Sequence, residues 1–400
     1  MHLITFSHLR WNFVYQRPQH LMSRFAKIFT TYYVEECFYS EQQDGYSTIA
    51  TPEAVTIVQL HLNGLPGNKE EEDERCMKIL HDFFHDQEIH NYIFWYYTPM
   101  AMAFTHNFHP ALVVYDCMDE LAAFKFASPS LKKMEEQLLA KADIVFTGGQ
   151  SLFEAKRHLH SNIYPFPSSI DKDHFGAARN SAAQPTDQFN IPHPRLGFFG
   201  VIDERFDIDL IKNAADLRPD WQFVLIGPVV KIDPASLPQK ANIHYLGSKT
   251  YTELPAYISG WDIALIPFAL NESTQFISPT KTPEYLAAGK PVIATAIRDV
   301  VAPYAENGLV RIVANAVELV HEASEELAYK DKNLWLSSVD AFLAPVSWDA
   351  TWNSMVQLMQ YAQDEKQILL IKKNAEDVRL FGSGSRTGRV RVSRKVGEQS

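Results

Sequence analysis

Two charged residues in "SPTKTPEYLAAGKPVIAT" (residues 278–295) could do chemistry together. Lys281 and Glu284 stand three apart at the head of a predicted short helix, hemmed in by Pro279 and Pro283. The chain then runs through Gly289 into an apolar strand. A helix N-terminus offers free N–H groups and partial positive charge, which suit a phosphate, and Lys281 adds a full charge. Pro283 costs little in a first turn, where its missing N–H would have been unpaired. A carboxylate beside a phosphate is unfavourable unless it does something else, and accepting hydrogen bonds from two ribose hydroxyls fits. Phosphate and ribose side by side mean a nucleotide. The plainer alternative is that Glu284 complements the helix dipole while Lys281 is solvated; spacing alone leaves both open.

Other candidates cluster elsewhere. In "VVYDCMDE" (113–120), Asp116 and Asp119 end a predicted buried strand. Two carboxylates three apart could split roles, one a general base and one orienting it, with Asp119 preferred as base. Asp116 could equally cap the next loop. His8 follows the first strand and could bind phosphate, act as base, or be structural. Arg10, Asn12 and Arg17 crowd the same loop. Arg17, His20, Arg24 and Lys27 share one helix face, either solvated or facing an anionic acceptor at a membrane surface. Arg10, Trp11 and Arg17 are the acceptor-binding candidates. Trp95, Tyr96 and Tyr97 could stack on sugar rings or be core and cleft wall. "DID" (207–209) spells a metal motif but reads as helix capping, so no metal is expected.

Positioning these residues needs two cores, because 400 residues exceed one ordinary domain. Strand-like runs at 3–7, 91–97, 111–116, 143–148 and 162–167 alternate with helical patterns at 18–29, 130–140 and 151–158. That order predicts α/β, a parallel sheet with helices on both faces. Residues 1–178 are read as the first domain and polar 179–194 as a linker. The alternation restarts over 195–345, with strands at 195–202, 221–227, 242–247, 262–268, 291–295 and 310–313. In "SWDATWNSMVQLMQYAQ", Trp348, Trp352, Met355 and Met359 make one helical stripe, a packing helix over 346–365. Residues 379–400 are basic, Gly- and Ser-bearing and read as disordered. The net charge of −11 argues against a nucleic-acid partner. Three scattered cysteines and no CxxC pair fit a reduced cytoplasmic setting. No apolar run is long enough to span a bilayer, so any membrane contact is expected at the surface, on the inner face.

The opening stretch resembles the donor-binding motif of GT-B glycosyltransferases of the family 1 and family 4 type. "SSIDKDHF" (168–175), "RLGFFGVIDERFDIDLI" (195–211), "WQFVLIGP", "NIHYLG" and the terminal helix match successive segments of that family, covering nearly all of 1–363. The resemblance implies a GT-B fold: two Rossmann-like domains facing across a cleft, with the C-terminal helix crossing back to the first. It implies a glycosyltransferase that moves a sugar from a nucleotide-sugar, with UDP favoured on family frequency, to a sugar, glycolipid or polysaccharide acceptor, in bacterial surface polysaccharide or glycolipid synthesis. Glu284 would hold the ribose. Lys281 and the first-turn N–H groups would hold the diphosphate, with Thr280 at the ligand-facing edge and Arg205 against the leaving diphosphate; Gly200 would let backbone approach the ligand, and backbone near Gly227 would contact the base. No cofactor or metal is implied, the nucleotide-sugar being a substrate. Two positions depart from the pattern: Phe276 stands where many retaining members carry a second Glu, and Leu210 where a Lys is common. Retention or inversion therefore stays open, as do the readings of a GT-B nucleotide-sugar epimerase and a non-catalytic sugar-nucleotide-binding protein.

Overall fold

In the computed structural model, which describes residues 1–125, 127–180 and 184–383, the predicted strands assemble into two separate sheets. The first contains β1 (His2–Ser7), β2 (Thr30–Glu35), β3 (Phe38–Ser40), β4 (Gly45–Ala50), β5 (Val55–Asn63), β6 (Tyr92–Tyr96), β7 (Leu112–Cys117), β8 (Ile144–Thr147) and β9 (Ile163–Pro165). Its order is β3-β5-β2-β1-β6-β7-β8-β9, with β4 on β5 as the one antiparallel strand pairing among the described residues. The second contains β10 (Arg195–Phe199), β11 (Gln222–Ile226), β12 (Ile243–Tyr245), β13 (Ile263–Ile266), β14 (Val292–Ala294) and β15 (Val310–Ile312), in the order β12-β11-β10-β13-β14-β15, all parallel.

Both sheets reverse their winding beside their first strand: β1 lies between β2 and β6, and β10 between β11 and β13. Loops leaving β1 and β10 therefore open at topological switch points, where open α/β sheets make their crevices. The loops after β1, β7 and β10 contribute to one shared cavity between the domains.

The segment expected as a linker is anchored on the second sheet. Gln188 is buried, donating to the Tyr257 carbonyl at 2.9 Å and accepting from Trp261 Nε1 at 2.9 Å. Ile170, Phe175, Ala178 and Ile191 join the second hydrophobic core, so that core starts ahead of residue 179. Domain contacts are specific: Asp299 accepts the Ser151 N–H at 3.1 Å, Ser168 Oγ donates to the Ser278 carbonyl at 3.3 Å, and Tyr15 stacks on Tyr251 at 4.6 Å.

The last helix, Trp348–Ser383, crosses back to the first domain. Trp348, Met355, Met359 and Ala362 are buried in one core with Leu3, Leu21, Tyr33 and Trp95. This corrects both readings of the basic helix face. Arg17 is buried on Asp116, His20 stacks on Trp348 at 4.6 Å, Arg24 Nε donates to Asp349 at 2.9 Å, and Lys27 lies 6.0 Å from the Trp352 ring. Arg17 and His20 are buried, Arg24 is half-buried and Lys27 alone stays exposed, so most of the face seats the crossover helix rather than an acceptor. Residues 384–400, most of the basic tail, lie outside the described residues.

Because Met355 is fully buried, Met355→Ala should lower unfolding free energy by ~2–5 kcal/mol in urea titrations. Leu369→Ala, on the exposed part of the same helix, should change it by less than ~0.5 kcal/mol. Equal effects would contradict the docking.

Candidate active site in the interdomain cleft

The cleft encloses a cavity of about 840 Å³, walled by both domains. Its second-domain wall is built around two glycines. Gly200 follows β10 with φ +143°, and its N–H donates to the Ile226 carbonyl at 2.8 Å. A Cβ on Gly200 would fall 2.2 Å from Lys281 Cε, so the lysine lies directly across its backbone. Gly227 follows β11 with φ +140°, and a Cβ there would fall 1.9 Å from the Gly200 carbonyl oxygen. Neither position admits a side chain, and L residues rarely adopt such φ.

The helix Lys281–Ala287 brings Lys281 and Glu284 to this wall. It is pinned from below: Tyr285 is fully buried and its hydroxyl accepts the Phe199 N–H of β10 at 2.9 Å. Its end is held by Arg179, which donates to the Ala287 carbonyl at 2.7 Å, and by Gly289 at φ +70°, a usual C-terminal stop. The helix is only seven residues long, so the positive charge here comes chiefly from side chains.

Among the described residues, Lys281 makes no ion pair and no hydrogen bond. Burial lowers its pKa, the field of Glu284 opposing this and Arg205 reinforcing it. Glu284 is 8% exposed, and its Oε2 is buried with no hydrogen-bond partner among the described residues. Burial pushes its carboxyl up to about 8 against the pull of Lys281. The Tyr251 hydroxyl and Thr282 Oγ1 are also buried without partners, and Tyr251 lies within the field of Glu284. Thr280 lines the cavity beside them, its side chain unused as a cap.

Arg205 reaches the same cavity. Asp203, which the sequence reading passed over, grips its guanidinium at 2.7–3.1 Å, while Phe124 of the first domain lies 5.3 Å from its centre. Burial disfavours the charge, but the hydrogen bonds and field of Asp203, with Asp119 adding, hold its pKa above the ordinary value. The only signal for Asp203 in the sequence was its place two residues before Arg205.

From the first domain, Asp119 lines the cavity, and no described residue hydrogen-bonds its carboxylate. Burial raises its pKa, Arg205 and Arg17 opposing. Asp116 differs. It is fully buried and accepts three hydrogen bonds from Arg17 at 2.7–3.1 Å, while Arg17 Nη1 donates to the Phe166 carbonyl at 2.7 Å. The candidate base Asp116 and the candidate acceptor ligand Arg17 are thus each other's partners in a structural ion pair. Arg10 pairs with Glu35 at 3.0 Å and does not line the cavity. Trp11 does line it, yet is 5% exposed and packs edge-on to Tyr33. His8 lies outside the cavity wall. Burial, with Lys231 nearby, pushes its pKa down to about 4, so it is neutral near pH 7 and a weak base. Trp95, Tyr96 and Tyr97 are core residues at 1% exposure or less, closed to a sugar. Asp207 accepts the Leu210 N–H at 2.8 Å as a helix cap, as its motif suggested. Phe276 packs across the cleft on the first domain's core.

Two doubly wound domains facing across such a cleft, with the chain's end returned to the first, are the GT-B class. Comparison with known proteins agrees. Residues 193–329 match the family model "Glycosyl transferases group 1". The chain is 27% identical over 221 residues to a Bacillus subtilis (strain 168) protein described as "Putative teichuronic acid biosynthesis glycosyltransferase TuaH"; the match spans 50% of this chain and 54% of that one, about half of each. Among solved structures, sucrose-phosphate synthase from Thermosynechococcus elongatus superposes with TM-score 0.68 at 16% identity, covering 90% of this chain and 98% of that one. Anabaena HepE in complex with UDP gives 0.62 at 12%, covering 90% and 100%. The catalytic domain of Arabidopsis thaliana starch synthase IV bound to ADP and acarbose gives 0.62 at 11%, covering 91% and 99%. The group 1 match thus falls on the second domain, and the solved structures share the two-domain GT-B fold over nearly the whole chain.

The raised pKa of Glu284 has a stability consequence. Its folded pKa of about 8 exceeds the ordinary value of 4.5, so the folded state holds a proton that the unfolded state releases between them. Stability therefore falls as pH rises through that window. Glu284→Gln should be more stable than wild type at pH 8, with the gap closing towards pH 5 in denaturant titrations. A gap independent of pH would contradict the burial.

Proposed function

We propose that this protein transfers a glycosyl group from a nucleotide-sugar, with UDP the favoured nucleotide, to a hydroxyl of a sugar, glycolipid or polysaccharide acceptor. One observation carries the reading: Glu284 Oε2 is buried and unpartnered in the wall of a cavity that also holds Lys281 and Arg205. An ionisable oxygen without a partner is expensive unless a ligand supplies donors, and two ribose hydroxyls would do so. Lys281 and Arg205 would then face the diphosphate, and Gly200 and Gly227 would let it approach the backbone. The presence of UDP in the Anabaena structure supports the choice of base.

In the transfer, the bond from the sugar's anomeric carbon to phosphate breaks and its electron pair leaves with the nucleoside diphosphate. Fixed cations beside that leaving charge lower the barrier, and Lys281 and Arg205 would provide them without a metal. The acceptor oxygen bonds to the anomeric carbon and its proton must go elsewhere. For an inverting reaction, Asp119, just past the end of β7, is a carboxylate left free to take it, its pKa raised by burial. The B. subtilis relative's description supports a product in bacterial cell-surface polysaccharide. Work on such acceptors fits a cytoplasmic enzyme touching the inner membrane face. Exposed Ile368, Leu369, Leu370 and Ile371 beside exposed Lys372 suit such a contact, and no helix among the described residues is long and apolar enough to cross a membrane.

Thermal-shift screening against UDP, GDP, ADP and their sugars tests the site. A ligand at 100 times its dissociation constant adds ~2.7 kcal/mol to stability. UDP or a UDP-sugar should give the largest shift, Glu284→Ala should abolish it and Lys281→Ala should reduce it. Asp119→Asn should keep the shift and lose at least ~100-fold in transfer rate with a sugar acceptor. Unchanged shifts in both donor-site variants would refute the assignment.

A further inference from the structure

The first-domain wall of the cavity is short of free positive charge. Among the described residues, the one cation it contributes to the lining is Arg17, 4% exposed and fully engaged by Asp116 and the Phe166 carbonyl. Two carboxylates on the same wall, Asp119 and Glu53, have no ion-pair partner among the described residues. Arg205 and Lys281 belong to the opposite wall, where the donor's diphosphate would occupy them. An anionic group brought against the first-domain wall would thus meet like charge in a partly desolvated space.

That wall does offer apolar surface. Phe13 is 47% exposed and Ile49 44% exposed, and both line the cavity with Val14. Ile49 owes its place to the antiparallel β4, which doubles back on β5 through a tight connection where the Thr51 N–H donates to the Val55 carbonyl at 3.0 Å and Ala54 takes φ +60°. The hairpin thereby brings Ile49 to Glu53 against the loop that carries Phe13. Tyr15 of that loop lies within the field of Glu53.

We infer that the acceptor is a neutral sugar carrying an apolar group, not a sugar phosphate or a uronic acid. Its hydroxyls face Asp119, and the apolar group lies along Phe13 and Ile49. The inference rests on the donor reading above, because it assigns Arg205 and Lys281 to the nucleotide.

Calorimetric titration of the full chain saturated with UDP tests it, using common hexoses, their octyl glycosides below the micelle concentration, their 6-phosphates and the matching uronic acids. An octyl glycoside should bind about tenfold tighter than its free hexose or more, as burial of several methylenes allows. The phosphate and uronate should bind more weakly than the free hexose. Phe13→Ala and Ile49→Ala should each shrink the octyl advantage, and Ile49→Arg should strengthen binding of the phosphate. The inference is overturned if the phosphate or uronate equals or exceeds the neutral sugar, if both alanine variants keep the full octyl advantage, or if no neutral sugar or glycoside binds. Nucleotide thermal shifts on the same samples tell the two failures apart: loss of UDP binding in wild type defeats the donor reading, whereas normal UDP binding with an anionic preference defeats only this one.

Discussion

The cleft is organised around the buried carboxyl of Glu284, whose Oε2 no described residue satisfies. Glu284 Oε2 lies beside Lys281, which is itself unpaired and stretched over the backbone of Gly200. The two charges influence each other without closing into an ion pair. An arrangement of that kind costs stability, since desolvation penalises both ionised forms. It persists because the helix beneath it is over-determined: Tyr285 bonds to β10, Arg179 holds the far end, and Gly227 and Gly200 nest against each other. Rigid support under unsatisfied groups is what a preorganised ligand site requires.

Several charges outside the cleft follow the opposite rule. Arg10 with Glu35, Arg17 with Asp116, Arg24 with Asp349, and Lys156 with Glu120 and Glu135 are each matched with acids of the protein. They hold the loop after β1, the first helix, the crossover helix and the loop after β7. Within the cleft, Lys281, Glu284, Asp119 and Glu53 have no ion-pair partners among the described residues. Their mutual pairing places Asp116 and Arg17 in the framework. Arg205 belongs to framework and site alike, held by Asp203 yet facing the cavity.

Much of this was legible in the sequence. The buried strands β1, β6, β7 and β10 to β15 are apolar enough to read directly, and Lys281, Glu284, Gly200 and Arg205 were picked out by motif and place. The stretch from 30 to 90 was not assigned. β2 reads TTYYVE, polar by composition though buried, because its tyrosines pack on Phe83 and Trp11. β4 is largely exposed and shows no apolar alternation, and the helix Lys69–Asp86 opens on a run of acids. The Arg17–Asp116 pair spans 99 residues, and the Arg24–Asp349 pair 325. Local pattern cannot reveal that a basic face will be covered by a helix from the chain's other end, and so Arg17 looked like a ligand and Asp116 like a base.

A crystal structure of the protein with a bound nucleoside diphosphate would test the central claim most directly. Both ribose hydroxyls should lie within hydrogen-bond distance of Glu284, its Oε2 included, and the diphosphate oxygens in reach of Lys281 and Arg205 above Gly200. A nucleotide lodged elsewhere, or one in the cleft that leaves Glu284 Oε2 still without a partner, would contradict it.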